Sequence, residues 1–350
     1  MASQVLLIGP HGVSGSAIRV RLGEDPQVRL ITVSRREAEP APGVERHLGV
    51  DLIDPRATHA AFAGLGHITR LVFAGYAERS TMAEMVRDNT AMLANTLNGL
   101  HGAGARLAHV TLITGGKGYG RHLGYYKTPA KESDPRILGP MFHYDQEDLL
   151  VRRGDERGFT WTVLRPDVVI GFAIGSPMSL LNSVGVYAAV CKDVGVPLRF
   201  PGTPADWRML HQFTDARILA SAAHWSLTAE SARNEAFNVT NGDLYRWEHL
   251  WSEIAEVFEM PTAAPQPMSL EEHMADKAPV WERLVRERDL VPTPYAQMAS
   301  WPFADEILAR DFDSVQSTVK IRRAGFHDCV DSHESFTGLL ARMRHEHLLP

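Results

Sequence analysis

The sequence has little cysteine, no excess of basic residues and no long apolar run. Its two cysteines, Cys191 and Cys329, lie far apart and outside any CxxC pair, which indicates a reducing compartment and no zinc site. Lysine and arginine number 36 against 42 aspartates and glutamates in 350 residues, a net charge of −6, so no basic surplus exists to neutralise nucleic-acid phosphates. No apolar run approaches the about 20 residues that cross a bilayer, and no secretory leader is recognisable. We therefore expect a cytoplasmic globular protein without a metal, a membrane or a nucleic-acid partner.

The first motif that is present is a glycine-rich turn near the N-terminus. An apolar, β-prone run over residues 4–8 leads into glycines at positions 9, 12 and 15, and a helical pattern follows over residues 17–22. A strand, a glycine turn and a helix in this order are typical of a dinucleotide-binding unit. Gly9 would permit the tight turn, Gly12 would let a pyrophosphate approach the backbone, and Gly15 would let the helix pack closely. An ordinary turn made of glycines is the alternative reading.

The end of the second predicted strand indicates which dinucleotide is bound. This strand, residues 28–33, runs into Ser34, Arg35 and Arg36, about 20 residues beyond the glycine turn. A carboxylate there would accept hydrogen bonds from the ribose 2′-hydroxyl of NAD, whereas guanidinium groups suit a 2′-phosphate. The sequence therefore favours NADP(H), with a solvated basic turn as the alternative.

Further strands end in residues suited to a ligand site. The third strand ends at Asp51, whose carboxylate is expected either to accept from the adenine amino group or to cap the next helix. The fourth ends at the small residue Ala74, and the fifth runs through Thr114 into a glycine-rich segment that contains Lys117. Open α/β sheets bind ligands at the carboxyl ends of their strands. We therefore expect these strand ends to surround the cofactor.

Strand and helix signals alternate up to about residue 166 and weaken beyond it. This pattern predicts an α/β fold, a Rossmann-type doubly wound parallel sheet with a smaller, mostly helical C-terminal substrate lobe. The predicted NADP-binding domain covers residues 1–165, with returning segments at about 212–260. Residues 166–211 and 261–350 are assigned to the substrate-binding lobe.

One catalytic signature is missing. Short-chain dehydrogenases usually carry a tyrosine with a lysine four positions later on one helix face, and no lysine of this chain follows a tyrosine at that spacing. Either the protein is not catalytic, or its lysine and its proton donor come from different elements of the fold.

Several separated blocks point to a family in which the second possibility holds. Residues 114–119 resemble the motif TGxKHY, residues 141–148 resemble NFYYxxED, and residues 161–166 followed by 171–172 resemble W[ST]VxRP…GF. Residues 186–192, 197–202 and 234–243 match further blocks. Together they make the chain similar, over roughly residues 5–340, to the progesterone 5β-reductase/iridoid synthase-like family of atypical extended short-chain dehydrogenases.

The resemblance implies NADPH-dependent reduction of an activated C=C bond in a small hydrophobic enone or enal. By motif position, Lys117 and Tyr144 would be the catalytic pair, with the phenol donating to the developing enolate oxygen and the ammonium holding the nicotinamide ribose. His143 stands at the first of the family's two adjacent tyrosines, and it would hold the donor position if that tyrosine is the true donor. Tyr119, His143 and Phe326 are assigned to the substrate site, although Phe326 could equally be a core residue.

The complete prediction for the cofactor site combines the strand ends with the motif blocks. It comprises Gly9, Gly12, Val13, Gly15, Ser34, Arg35, Arg36, Asp51, Leu52, Ala74, Thr114, Lys117, Tyr144, Pro166 and Val169. Two other functions remain open at this point. They are 1,2-carbonyl reduction (alcohol dehydrogenase activity) on the same scaffold, and a non-catalytic NADP-binding redox sensor. The expected partner is a small enone or carbonyl compound, and a homodimer is left open.

Overall fold

The computed structural model describes residues 3–38, 40–176 and 178–350. The strands are β1 (Ser3–Ile8), β2 (Val28–Ser34), β3 (Val44–Gly49), β4 (Arg70–Phe73), β5 (His109–Ile113), β6 (Thr160–Pro166), β7 (Val168–Ile170), β8 (Leu198–Arg199), β9 (Phe213–Asp215), β10 (Glu235–Val239) and β11 (Thr262–Ala263). The helices are α1 (Val13–Gly23), α2 (Pro55–Phe62), α3 (Met82–Gly102), α4 (Phe142–Arg157), α5 (Leu180–Asp193), α6 (Ala216–Ser226), α7 (Trp247–Val257), α8 (Leu270–His273), α9 (Ala278–Glu287), α10 (Tyr295–Met298), α11 (Trp301–Leu308), α12 (Val319–Arg323) and α13 (Ser332–His345). Among the described helices, none combines the length and the apolar character that crossing a bilayer requires.

Seven strands form one parallel sheet in the order β10-β6-β5-β4-β1-β2-β3. Strand β1 lies near its centre, with Val5 opposite Leu30 of β2 on one side and Arg70 of β4 on the other. The order reverses direction at β1, because the next strand along the chain lies on one side of it and β4 lies on the other. Such a reversal opens a crevice at the carboxyl ends of the strands.

The central strands are buried on both faces, as expected for a parallel sheet covered by helices. Alternate residues of β1 point to opposite layers: Leu6 and Ile8 join the core under α2, α3 and α4, while Val5 and Leu7 join the core under α1 and α6. This arrangement confirms the predicted Rossmann-type α/β fold.

A second core lies in the C-terminal half and is rich in aromatic residues. Trp247 and Trp251 of α7 pack against Phe200, and Phe213 stacks on Phe336 of α13 with 5.2 Å between ring centroids. Most of the elements that supply this core are helices, in agreement with the predicted helical lobe.

The chain leaves the sheet after β6 and returns to it. Strand β10 pairs with β6 at the sheet edge, and α6 packs beside α1, so both elements of the segment 212–260 contact the sheet layer. Helix α7, also in that segment, packs instead in the aromatic second core. These contacts associate α7 with the substrate lobe, and the exact domain boundary stays a prediction.

Candidate active site

A cavity of about 590 Å³ lies over the carboxyl ends of β1, β2, β4, β5 and β6. Its volume falls within the range of sites that enclose small ligands. The predicted site residues that line it are Gly9, Gly12, Val13, Gly15, Ser34, Arg35, Arg36, Leu52, Ala74, Thr114, Lys117, His143, Pro166 and Val169. The fold therefore gathers most of the predicted cofactor site around one space.

The glycine turn has the geometry that a dinucleotide needs. Gly9 has a φ of +82°, and a Cβ there would lie 2.6 Å from the carbonyl oxygen of Ala74. A Cβ on Gly15 would overlap the carbonyl of Gly9, so helix and turn are packed as closely as glycine allows. A Cβ on Gly12 would meet nothing within 4 Å, which leaves open space beside the start of α1.

The start of α1 is suited to an anion. Gly12 is its N-cap and gives no side-chain hydrogen bond to the helix, so the first backbone N–H groups of the helix point toward the cavity without a side-chain cap. Free N–H groups and the helix dipole together attract phosphate. The residues present therefore fit the pyrophosphate of a dinucleotide.

The turn after β2 is fixed by hydrogen bonds that leave its arginine side chains at the cavity. The Ser34 hydroxyl donates to the Arg36 carbonyl (2.9 Å) and accepts from the Arg36 N–H (3.1 Å). Nε2 of His47, on β3, donates to the same carbonyl over 2.9 Å. Because these bonds use backbone and hydroxyl groups, the guanidinium groups of Arg35 and Arg36 remain to line the cavity.

Asp51 does not cap the next helix, and its contact with the adenine amino group stays a prediction. Its Oδ1 accepts from the backbone N–H of Ile53 (3.0 Å), and the helix cap is provided by Asp54, which accepts from Arg56 and Ala57. The carboxylate of Asp51 thus stabilises a local turn, and its neighbour Leu52 reaches the cavity.

Lys117 lies in the short 3₁₀ turn after β5, Gly116–Tyr119, and lines the cavity. Its Nζ forms an ion pair with Oε2 of Glu306, on α11, over 3.1 Å. Although burial opposes ionisation, Lys117 and Arg121 hold the pKa of Glu306 below its usual value. The lysine predicted from the motif is therefore tied to a residue of the helical lobe, far away in sequence.

At the start of α4 the structure separates the two candidate proton donors. The Tyr144 hydroxyl donates to the carbonyl of Gly118 and accepts from the backbone N–H of Ile137 (3.0 Å), and the Arg136 guanidinium lies 4.7 Å from its ring centroid. Among the described residues that line the cavity, His143 is present and Tyr144 is not. The expectation that Tyr144 faces the cofactor is therefore corrected: successive helical residues point about 100° apart, and the cavity receives the first of the pair.

His143 is buried and is held uncharged. Burial, followed by the nearby positive charges of Lys117 and Arg121, lowers the pKa of its imidazole to about 3. Its Nδ1 is buried and has no hydrogen-bond partner among the described residues. A neutral imidazole in such a site is a hydrogen-bond donor or acceptor and not a strong acid.

The two other predicted substrate residues lie elsewhere. Tyr119 donates to Oδ1 of Asn238 (2.6 Å) and accepts from Arg165 (3.2 Å), and burial raises its pKa to about 12. Phe326 packs against Trp225, in the core beside α6. Both are structural residues here, and for Phe326 the core alternative is the correct one.

The sequence also left some cavity residues unassigned. Tyr76, just beyond β4, lines the cavity, but its hydroxyl donates to the Glu78 carboxylate, and burial raises its pKa above the usual value. Asp167 pairs with the buried Arg121, and its backbone N–H donates to Thr214. Much of the remaining wall is apolar and consists of Met82, Met85, Met92, Met141, Phe142, Met178 and Phe303. Met141 and Phe142 belong to the motif block 141–148, but no sequence signal marked the others as cavity residues, since they come from separate elements.

A glycine turn at the centre of a parallel seven-stranded sheet, with a cavity over its carboxyl edge, defines a dinucleotide-binding fold of the Rossmann type. Solved structures share this fold: Bordetella bronchiseptica WbmG in complex with NAD and UDP (TM-score 0.69, 15% identity, 100% of this chain and 96% of that chain) and Pseudomonas aeruginosa RMD complexed with NADPH (TM-score 0.67, 14% identity, 97% and 99%).

The family follows from the sequence comparisons. The family model described as a PRISE-like Rossmann-fold domain matches residues 53–350. An (S)-8-oxocitronellyl enol synthase of Camptotheca acuminata is 34% identical over 99% of this chain and 93% of its own length, and one of Nepeta cataria is 31% identical over the same shares. The chain belongs to the PRISE family, the progesterone 5β-reductase/iridoid synthase-like enzymes, which confirms the resemblance read from the motifs.

Proposed function

We propose that this protein is an NADPH-dependent reductase of activated C=C bonds in small apolar enones or enals. The observation that carries the proposal is that Lys117 and a buried, neutral His143 both line the same cavity. The names of the curated relatives support it, because an enol synthase forms the kind of product that this site would stabilise.

The cofactor would be held by the residues of the glycine turn and of the turn after β2. Gly12 and the start of α1 would bind the pyrophosphate, and Arg35 and Arg36 would bind a 2′-phosphate. When bound, the reduced nicotinamide supplies a hydride for the β-carbon of the substrate. Lys117, on the cavity wall, would orient the ribose next to the nicotinamide.

His143 would act at the carbonyl oxygen of the substrate. As the β-carbon is reduced, negative charge develops on that oxygen, and a fixed N–H donor stabilises it more strongly than it stabilises the ground state. A neutral imidazole is suited to this task. In other enzymes, too, a neutral imidazole polarises a carbonyl through a hydrogen bond.

This protonation state favours 1,4-reduction over 1,2-reduction. Reduction of the carbonyl itself would create an alkoxide that needs a full proton, and an imidazole held neutral far above its pKa of about 3 has no acidic proton to give readily. An enolate is less basic and needs only a hydrogen bond until its α-carbon takes a proton from solvent water, which leaves as hydroxide and is neutralised by the buffer. The methionine-rich wall suits a small apolar molecule, since thioether side chains adapt to apolar shapes.

The test is reduction of 2-cyclohexen-1-one, with NADPH consumption followed by absorbance and the product identified by mass spectrometry. We expect cyclohexanone. The allylic alcohol as the main product would instead establish a carbonyl reductase, and tight NADPH binding without turnover of a panel of enones and enals would establish a redox sensor. Lys117→Ala is the inactive comparison, with cofactor binding measured separately.

The cofactor assignment has its own test. Arg35→Ala is expected to weaken NADPH by about 10- to 100-fold, the loss of one charge-assisted contact of about 1.5–3 kcal/mol, and to leave NADH almost unchanged. Arg29→Ala, on an exposed part of β2, is the matched control. Equal weakening of NADPH and NADH by Arg35→Ala would contradict the assignment.

A further inference from the structure

The glycine turn carries a histidine that the cofactor assignment above does not use. His11 lies between Gly9 and Gly12, is exposed, and lines the same cavity as Ser34, Arg35 and Arg36. Its ring centroid is 5.3 Å from that of His47, which itself is hydrogen-bonded to the Arg36 carbonyl. His11 therefore lies beside the turn that would bind a 2′-phosphate, next to His47 of β3.

The surroundings of His11 are positively charged. His47 on β3, Arg36 after β2 and Arg19 on α1 face it. Partial desolvation of the ring, although the residue as a whole is exposed, acts together with these three groups to lower its pKa. Glu37, in the same turn, is packed against Gly49. An anion bound among these groups would outweigh their positive charges and favour the protonated form of the His11 imidazole.

We propose that His11 is a further ligand of the 2′-phosphate of NADP(H) and takes up a proton as that phosphate binds. The preference for NADP(H) over NAD(H) then weakens as the pH rises, because the neutral ring no longer attracts the phosphate. This inference rests on the proposed use of NADP(H) and assigns to this chain a pH dependence of cofactor choice.

The other histidine of the pair has a different role. His47 Nε2 donates to the Arg36 carbonyl, and its Nδ1 accepts from the Thr32 hydroxyl over 2.8 Å. Both ring nitrogens are thus engaged in holding the turn, whereas His11 makes no side-chain hydrogen bond among the described residues. The geometry therefore assigns the proton uptake to His11.

The experiment uses the full chain and two probes, adenosine 2′,5′-bisphosphate and adenosine 5′-monophosphate, which differ in the 2′-phosphate. Titration calorimetry at pH 7, in two buffers with different ionisation enthalpies, measures the protons taken up. We expect uptake of a fraction of one proton with the bisphosphate and almost none with the monophosphate. Between pH 6 and pH 8, bisphosphate affinity relative to that of His11→Gln should fall by up to about tenfold per pH unit.

His11→Gln removes the titrating group, so only the ionisation of the phosphate itself should remain in its pH profile. His11→Arg supplies a permanent cation and should keep tight bisphosphate binding at pH 8. His47→Gln is the matched control and should retain proton uptake. Since His11 is exposed, thermal unfolding of its variants should be unchanged, which checks folding independently.

The outcomes separate this inference from the proposed function. If the wild-type protein binds the bisphosphate no better than the monophosphate at any pH, the NADP(H) assignment itself fails and this inference fails with it. If the bisphosphate binds better, but His11→Gln keeps the same proton uptake and pH profile, only the role of His11 is overturned. Loss of proton uptake in His47→Gln alone would give the role to His47.

Discussion

His143→Phe tests the site most directly, because it removes both ring nitrogens and keeps a planar aromatic ring. If the imidazole N–H stabilises the developing enolate, its removal should lower kcat by about 100- to 1,000-fold, or about 2.7–4 kcal/mol of transition-state stabilisation. Stability should not fall in parallel. Nδ1 of His143 is buried without a partner among the described residues, and replacing such an unsatisfied atom by carbon recovers up to about 1–3 kcal/mol, less any cost of fitting the larger ring.

The pH profile of the wild-type enzyme gives a second readout of the same reasoning. Because the pKa of His143 is about 3, the imidazole stays neutral between pH 5.5 and 8, and its contribution to kcat should be constant over that range. If an imidazolium were the working acid, kcat would instead rise as the pH falls. The two cases are separated by stopped-flow measurement of NADPH oxidation at saturating enone.

Two phenols provide matched controls for His143→Phe. Tyr144→Phe loses hydrogen bonds to Gly118 and Ile137 and should cost about 1 kcal/mol of stability with little change in kcat. Tyr76→Phe should also retain activity, since its hydroxyl is engaged by Glu78. An active His143→Phe enzyme, together with a large loss in either tyrosine variant, would refute the assignment of the donor.

Three further predictions concern folding, the lysine and acid stability. Gly12→Ala should fold normally, because its Cβ meets open space, yet lose dinucleotide affinity, whereas Gly15→Ala should lower the melting temperature through overlap with backbone. Glu306→Gln should release Lys117 and lower kcat by up to about tenfold, or about 1.4 kcal/mol. Because the ion pair is partly exposed, the free energy of unfolding in urea should change by less than about 1 kcal/mol. Burial lowers the pKa of His109 to about 4. As the pH falls below 6.5, the unfolded chain therefore binds a proton at this histidine that the folded chain does not bind. The free energy of unfolding should be about 2 kcal/mol lower at pH 5 than at neutral pH for this reason. His109→Gln should reduce that acid loss in denaturation curves measured at both pH values.

The sheet and its glycine turn could be predicted because their signals are local. Runs of apolar residues such as 4–8 and 28–33 are read directly from the sequence, and the spacing of Gly9, Gly12 and Gly15 specifies the turn between strand and helix. The structure extends the first helix back to Val13, with Gly12 as its N-cap and Gly15 in its first turn.

The choice between His143 and Tyr144 could not be made from spacing. It depends on where α4 begins and on which side of it faces the sheet, and a shift of one residue rotates the side chain by about 100°. The outcome is set by contacts from other parts of the chain: the backbone of Gly118 and of Ile137 binds the Tyr144 hydroxyl. Motif matching identified the pair of positions and the packing selected one of them.

Contacts across long sequence separations were also beyond the sequence. Glu306 meets Lys117 only because α11 packs over the turn after β5. Asp51 and Asp54 illustrate a smaller ambiguity, because two carboxylates three residues apart compete for one helix start, and the backbone geometry gives it to the second.

The position of β10 has a consequence for exchanging specificity between members of this family. The sheet is completed by a strand that follows an excursion of the chain into the helical lobe, and β7 and β9 pair at the base of that excursion. A graft of the lobe from a relative must therefore replace two separate stretches, one between β6 and α6 and one after β10. A chimera with a single crossover within the first stretch would take β6 from one parent and β10, the edge strand beside it, from the other. Its seven-stranded sheet would therefore contain strands of both parents.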